Sequence, residues 1–270
     1  MIKADLHTHS TYSDGSLNIK SLFKSAKLSG LGAIALSDHD TMAGIPIARK
    51  EADKAGIKLI PAVEISAEDP GNSRKVHILA YFIQDSDLIE KVCRPWLEKR
   101  RQNCLNALED IRRMGYPIDA DDVLQYTESG VIYKQHIMRA LMDRGFTLSV
   151  YGELYNRLFI KDGGERYKSS YMSAFEAIEL VLQAGGLPVL AHPYIYDSMG
   201  LLPALVKSGL RGIECFHPSQ NAERIKTVIE AAGKYGLFLT GGSDFHGFYS
   251  SRGAALGSVE FFLPEKGWLF

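Results

Sequence analysis

The chain has 270 residues, 46% of them hydrophobic and 23% charged, enough apolar material for one large domain or a domain carrying an insertion. Lys and Arg total 31 against 32 Asp and Glu, so the net charge of −1 excludes the strong field of a protein built to track long nucleic acid or an anionic membrane. No apolar run approaches the roughly 20 residues of a spanning helix, and no basic stub followed by an apolar stretch opens the chain. Cys93, Cys104 and Cys215 form no CxxC pair, so reduced core thiols, a cytoplasmic location and no membrane partner are expected.

The elements alternate. "IKADL" (2–6) reads as a strand, and "LNIKSLFKSAKLSG" (17–30) as an amphipathic helix with Ser16 as N-cap and Gly30 as its stop. "GAIALS" (32–37) is a buried strand, and "AGIPIARKEADKAG" (43–56) a helix ending at Gly56. Two strands follow, "IKLIPAVEIS" (57–66) and "KVHILAYF" (75–82). Residues 85–168 break the rhythm with helical patterns and no buried strand, so 96–168 is expected to be a helical insertion between barrel segments 1–95 and 169–270. After it come "SAFEAIELVLQAGG" (173–186), with a Ser173/Glu176 capping box, then a strand (187–193) and a helix near 200–208. A strand (210–218), a helix (221–236) and a last strand (237–246) follow. Strand–helix alternation with continuous apolar strands predicts a parallel sheet with helices outside, and seven strands favour barrel-like closure.

The histidines fall where such a fold gathers reactive groups. His7 and His9 end the first strand, His39 the second and Glu64 the third; His77 lies in the fourth. His192 ends the fifth, His217 the sixth, and Asp244 with His246 the seventh; of the eight histidines only His136 is clearly elsewhere. Strand C-terminal ends converge on one rim. Residues i and i+2 of a strand share a side, so His7 and His9 aim at one point and Asp5 shares their parity. Imidazole and carboxylate without thiolate suit Zn, Mn or Fe. A lone histidine is most often a packed or hydrogen-bonded residue; HxH, DHD, a strand-end Glu, AHP and SDFH in succession are not explained that way.

"DLHTHSTYSDG", "SDHDT", "VEIS", "AHP" and "GSDFH" together resemble the polymerase and histidinol phosphatase (PHP) family of metal-dependent phosphoesterases, on both sides of the insertion. The likeness is greatest to the subgroup acting on nucleoside monophosphates and 3′,5′-bisphosphates. It implies a distorted (β/α)7 TIM-like barrel with two or three divalent cations, Mn, Fe or Zn. Carried over by motif, His7, His9, Glu64 and Asp244 take one cation; Glu64, His77 and His192 a second; Asp14, His39 and His246 a third. The implied reaction is hydrolysis of a nucleotide phosphomonoester by a metal-bound hydroxide, with Glu64 as the bridging carboxylate. Asp40 and His217 are candidates for proton transfer, and Asp5 and Asp38 for orienting imidazoles.

"KQHI" stands where relatives have Arg-Pro-His, making Lys134 and His136 candidate phosphate contacts; Arg166, beside Lys168, is a third, though solvated charge is the commoner fate of such residues. "AHP" is followed by Tyr194 and Ile195 rather than Gly-Arg, so one phosphate contact of the subgroup is missing. Tyr12 stacks on a base or packs under the rim, Glu214 and His217 need not share a face, and "KRR" (99–101) reads as a wet helix surface. The expected partner is a small phosphorylated substrate, with short RNA ends as an alternative. Histidinol phosphate is a competing substrate, amide hydrolysis a more distant one, and a degenerate binding module is disfavoured by the complete ligand set.

Overall fold

The computed structural model describes residues 1–161, 167, 170–250 and 253–263. The strands are β1 (Ile2–Thr8), β2 (Ala33–Leu36), β3 (Lys58–Glu68), β4 (Lys75–Tyr81), β5 (Met172–Ser173), β6 (Leu187–Leu190), β7 (Gly212–Phe216), β8 (Phe238–Gly241) and β9 (Phe262–Leu263). The helices are α1 (Ile19–Leu28), α2 (Ile45–Ala55), α3 (Ser86–Arg113), α4 (Ala120–Leu124), α5 (Lys134–Asp143), α6 (Glu153–Asn156), α7 (Ala174–Gln183), α8 (Leu202–Lys207) and α9 (Ala222–Tyr235).

The sheet runs β8-β7-β6-β4-β3-β2-β1-β9, with β5 paired to β3. It curls until its ends meet: beyond β8, Phe245 accepts the His9 N–H at 2.9 Å and donates to the His7 carbonyl at 3.2 Å. The result is a distorted TIM-like barrel. One apolar set, including Leu6, Ala35, Ile60, Leu79 and Tyr81, fills the inside. A larger set, including Phe23, Ile34, Ile65, Ile78 and Ile213, lies between the sheet and its outer helices.

The sheet is not wholly parallel as expected: β4 runs antiparallel to both β3 and β6. The cause is the short link. Residues 69–74 between β3 and β4 are too few for the crossover of a dozen or more residues that a parallel return needs. His77, third residue of β4, therefore reaches the same rim as the far ends of the other strands.

Local chemistry sets the boundaries. Ser173 and Glu176 form the capping box of α7, and Gly56 and Gly236 end α2 and α9 in the left-handed region at φ 68° and 66°. Asn18, not Ser16, caps α1 through its side chain to Ser21 N at 2.9 Å. The Ser16 hydroxyl accepts the Phe248 N–H instead, at 2.7 Å.

α3 is one helix across the expected boundary at 95/96, continuing through Pro95. Its first half buries Ile89 and Cys93 in the barrel's outer core. Its second half joins Cys104, Ala107, Leu108 and Ile111 to Ile137 and Leu141 of α5 and to Phe159 in a separate cluster. All three cysteines are buried and free. Among the described residues no helix is long and apolar enough to cross a membrane.

Candidate metal centre

Seven histidines from six strand ends face one rim, buried except His246, which keeps only slight exposure. His7 and His9 come from the end of β1 and the turn after it, where pairing with β2 shifts register between Asp5 and Thr8. His39 and Glu64 pair in an isolated bridge beside β2 and β3. Backbone strain re-aims three neighbours: Asp40, His192 and Asp244 hold φ of 60°, 24° and 52°, a region side-chain-bearing residues rarely occupy. Gly242 makes room for the turn. A Cβ there would stand 2.5 Å from both the His7 nitrogen and its Cβ.

Glu64 is the hub. Its Oε1 lies 2.8 Å from His77 Nδ1 and 2.8 Å from His192 Nε2. Its Oε2 lies 3.1 Å from His7 Nε2, 3.3 Å from His9 Nε2 and 3.4 Å from His39 Nδ1. One carboxylate thus divides five imidazoles into two groups. Asp244 Oδ1 stands 3.4 Å from the Nε2 atoms of His7 and His9, and Asp14 Oδ1 3.1 Å from His246 Nε2.

Burial raises a carboxyl, but the imidazoles of His7, His39 and His77 outweigh it and hold Glu64 well below the usual range. Asp14 and Asp244 are held down in the same way, chiefly by His246 and His7 respectively. Burial likewise opposes a charged His246, yet Asp14 and Asp244 lift it to about 10. His39 is pushed well below its normal value by burial, only partly offset by Glu64 and Asp14. The carboxylates are therefore ionised donors.

Among the described residues, three groups draw their ligand atoms within 4.8 Å of one another: His7, His9, Glu64, Asp244; His9, Asp14, His39, His246; and His39, Glu64, His77. The first is the expected set. The second adds His9 to the expected Asp14, His39 and His246. The third has His39 where His192 was expected, although His192 still touches Glu64.

The donors fit divalent cations on an independent count. Among the described residues His9 Nε2, Asp14 Oδ1 and His39 Nδ1 are buried with ion-pair neighbours at 3.1–3.4 Å but no well-aligned hydrogen bond, a lack that a shared cation removes. Tautomers are set from behind. His246 Nδ1 donates to the Asp244 carbonyl at 2.8 Å, which leaves Nε2, paired with Asp14, as the nitrogen that would give up its proton to a cation.

Other candidates sit differently. Asp40 does not face the ligands: it accepts the Ser66 N–H at 2.7 Å and Arg100 at 3.0 Å. Asp5 touches no imidazole ring; it holds Ser243 and Gly257 by backbone and hydroxyl donors at 2.6–2.9 Å. Asp38 binds Ser10 and Ser13, and only Ser13 approaches His9, at 3.5 Å. His217 Nε2 is 3.4 Å from Asp244 Oδ2, while its Nδ1 accepts the Ser219 N–H at 3.0 Å. Lys134 lines the neighbouring cleft, but His136 is fully buried beneath α5 with Nδ1 accepting the Tyr133 N–H at 3.3 Å. Gln135, between them, donates to Asp14 at 2.9 Å. Arg166 and Lys168 lie outside the described residues. Tyr12 packs half-buried against the core beside Gly44.

Two residues set aside on sequence belong to the site. Glu214 lies 3.0 Å from His7 Nδ1 and accepts the His192 N–H at 2.7 Å. The signal was a carboxylate between Ile213 and Cys215 in an otherwise buried apolar strand. Arg100, read as wet, turns into the cleft with its guanidinium 4.6 Å from the Tyr133 ring centre. It shares a stripe of α3 with Leu97, Cys104 and Ala107, all buried.

Above the ligands is a pit of about 140 Å³ lined by Asp14, Glu64, His77, His192, His217 and Asp244, among others. A cleft of about 630 Å³ adjoins it under the insertion.

A model of the PHP domain matches residues 5–186. The chain is 39% identical to the phosphoribosyl 1,2-cyclic phosphate 1,2-diphosphodiesterase of Eggerthella lenta, over 90% of this chain and 94% of that one. It is 30% identical to the 3′,5′-nucleoside bisphosphate phosphatase of Chromobacterium violaceum, over 91% and 88%. Among solved structures, a Bifidobacterium adolescentis protein described as a metal-dependent phosphoesterase superposes with TM-score 0.84 at 29% identity, over 95% and 91% of the two chains. With that span of similarity, and with imidazoles and carboxylates converging at one barrel mouth, the chain belongs to the PHP family and is a metal-dependent hydrolase of phosphate esters.

Proposed function

We propose that the chain hydrolyses a phosphate ester borne on the ribose of a small phosphorylated compound. A phosphoribosyl cyclic phosphate is the first substrate in this reading, and a nucleoside monophosphate or 3′,5′-bisphosphate the second. The observation that carries hydrolysis is the division of five imidazoles between the two oxygens of Glu64. The 39% identity to the Eggerthella lenta diphosphodiesterase supports the first substrate, and the 30% identity to the bisphosphate phosphatase the second.

In this reading His7, His9, Glu64 and Asp244 hold one cation, Glu64, His77 and His192 a second, and Asp14, His39 and His246 a third, with Mn, Fe or Zn all suited to such donors. Cations held there supply Lewis acidity, acidifying water and neutralising charge on phosphoryl oxygens. The protein's own part is placement. Glu64 spans two ligand groups and fixes their separation. His217, with Nδ1 occupied by the Ser219 N–H, keeps its proton on Nε2 and presents it to Asp244 or a phosphoryl oxygen in the pit. That tautomer suits a hydrogen-bond donor better than an acid for the leaving group. Asp40 acts through Arg100 and Ser66, as a positioning residue. The helices within 96–168 act as a lid subdomain over the cleft.

Identification of the products by phosphorus NMR and chromatography tests this, since opening a cyclic diester or cutting a dinucleotide link frees no inorganic phosphate; the panel is phosphoribosyl 1,2-cyclic phosphate, adenosine 3′,5′-bisphosphate, AMP, histidinol phosphate and a dinucleotide pNpN. Highest kcat/KM on any of the first three supports the proposal. Preference for histidinol phosphate overturns the ribose assignment, and preference for the dinucleotide moves it to trimming of short RNA ends.

A further inference from the structure

Asp14 differs from the other carboxylates of the ligand set in how it is carried. Glu64 lies within β3, whereas Asp14 sits in the turn between β1 and α1. The backbone of that turn is fixed: the Ser13 and Gly15 N–H groups donate to the Ser10 carbonyl at 3.0 Å, and the Ser16 N–H to the His246 carbonyl at 3.1 Å. Those bonds leave the rotation of the Asp14 carboxylate unset. Its two oxygens have different partners. Oδ1 faces the imidazoles, 3.1 Å from His246 Nε2, 3.8 Å from His9 Nδ1 and 3.9 Å from His39 Nε2. Oδ2 accepts the side-chain amide of Gln135 at 2.9 Å.

Gln135 belongs to the insertion, as the second residue of α5, and is half-buried. The Arg-Pro-His pattern of the similar subgroup has proline at this position, with no side-chain donor, so the contact is this chain's own. An amide suits the place. It offers a hydrogen without a charge, so Asp14 is oriented yet keeps its full negative charge for a cation. Lys or Arg would orient the carboxylate too, but would neutralise it and compete with the cation.

The insertion meets the same ligand group at further points. The Glu128 N–H donates to the Thr11 carbonyl at 2.8 Å, and the Thr11 hydroxyl returns a bond to the Glu128 carboxylate at 2.6 Å. The Tyr133 hydroxyl donates to the His39 carbonyl at 3.4 Å. The His136 ring packs edge-on against Tyr249 at 5.8 Å, and the Arg139 guanidinium lies over the Phe248 ring at 5.1 Å. These contacts fall on the three segments that carry Asp14, His39 and His246. His7, Glu64 and His77 lie within strands and are placed by the sheet itself.

We infer that Gln135 is a positioning residue: it turns the Asp14 carboxylate toward the third cation and ties occupancy of that site to the seating of α5 on the rim. This rests on the reading in which Asp14, His39 and His246 hold a third cation, and it names what places the ligand carried on a turn. Such coupling is reciprocal, so a cation bound there also steadies α5.

Equilibrium dialysis of the full chain, stripped of metal and reloaded over graded free manganese, counts the cations and gives their Kd values, and His246→Ala assigns the step that belongs to the third group. Gln135→Met removes the donor while keeping an unbranched side chain and a good helix former, and Gln135→Ala is the second variant. Both should weaken the third cation about tenfold and leave the other two within about twofold. Hydrogen exchange supplies the reciprocal readout: manganese at the third site should slow the amides of Ile137–Leu141 in the parent, and slow them less in Gln135→Met. A third-site Kd equal to the parent's in both variants overturns the inference, as does equal weakening of all three steps. A weaker third site with α5 exchange indifferent to manganese in the parent rejects the tie to the insertion. A parent that binds only two cations removes the third-cation reading, and the inference falls with it.

Discussion

Glu214 lies 3.0 Å from the back nitrogen of His7, Nδ1, while the opposite nitrogen of the same ring faces Glu64 and Asp244. The buried carboxyl is raised by desolvation, but His7 and His217 outweigh that and keep it below its usual range. An ionised Glu214 therefore fixes which nitrogen of His7 carries hydrogen and leaves Nε2 bare for a cation. Its other oxygen accepts the His192 N–H at 2.7 Å and so steadies a residue held at φ 24°. Glu214→Gln should weaken metal binding about 10- to 100-fold. Manganese retained after equilibrium dialysis against graded free metal measures this; wild-type retention would show the contact to be incidental.

Glu64→Gln should reduce turnover by on the order of 100-fold or more, because a neutral amide no longer counters two groups of imidazoles and cations. Far-UV circular dichroism should stay that of the parent, since the barrel core around Leu79 and Tyr81 is untouched. Wild-type turnover in a well-folded variant would remove the bridge.

Gly242→Ala places a methyl 2.5 Å from the His7 backbone nitrogen, a contact only a backbone shift relieves. The expected loss is about 1–3 kcal/mol, or more if β1 cannot move. Calorimetric unfolding should show a lower midpoint. An unaltered midpoint would mean that the turn after β8 yields freely.

Burial pushes the His136 imidazole down to about 4. In the unfolded chain its value is about 6.5. The unfolded state thus binds the extra proton first as pH falls, so the stability from a neutral His136 is complete above about pH 6.5 and is lost on descent toward about pH 4. The loss should reach about 2 kcal/mol by pH 5. Urea unfolding of the parent and of His136→Gln across pH 7.5 to 5 measures it: the stability gap between them should shrink as pH falls. Parallel curves would show that His136 titrates normally in the fold.

Much of the site is visible in the sequence because it is built from strand ends, and strand ends can be located from periodicity alone. Glu64 and Asp244 need no knowledge of the loops to be picked out. His77 is harder, because its usefulness depends on β4 running backwards, a matter of link length rather than of side-chain pattern. Arg100 and Glu214 were hidden for a different reason. Each looks ordinary among its chain neighbours, and its value comes from what lies opposite: Asp40 and the rings of Tyr133 and Tyr171 for one, His7 and His192 for the other. His136 shows the reverse error, a histidine in a motif-like position whose ring packs beneath its helix while Gln135 takes the place facing Asp14.

The reversed direction of β4 makes the hairpin at 69–74 a ruler. Along this strand Leu79 and Tyr81 point into the barrel, whereas Val76, Ile78 and Ala80 point to the helices. His77 and Lys75 keep the phase of the inward set, one supplying the ligand cluster and the other the cleft. Sliding β4 by one residue against β3 would turn both to the wrong side together. Sliding it by two would keep the phase but move both by about 6.6 Å along the strand, out of step with Glu64. The length of an outwardly unremarkable loop thus sets the depth of a ligand and of a cation at once.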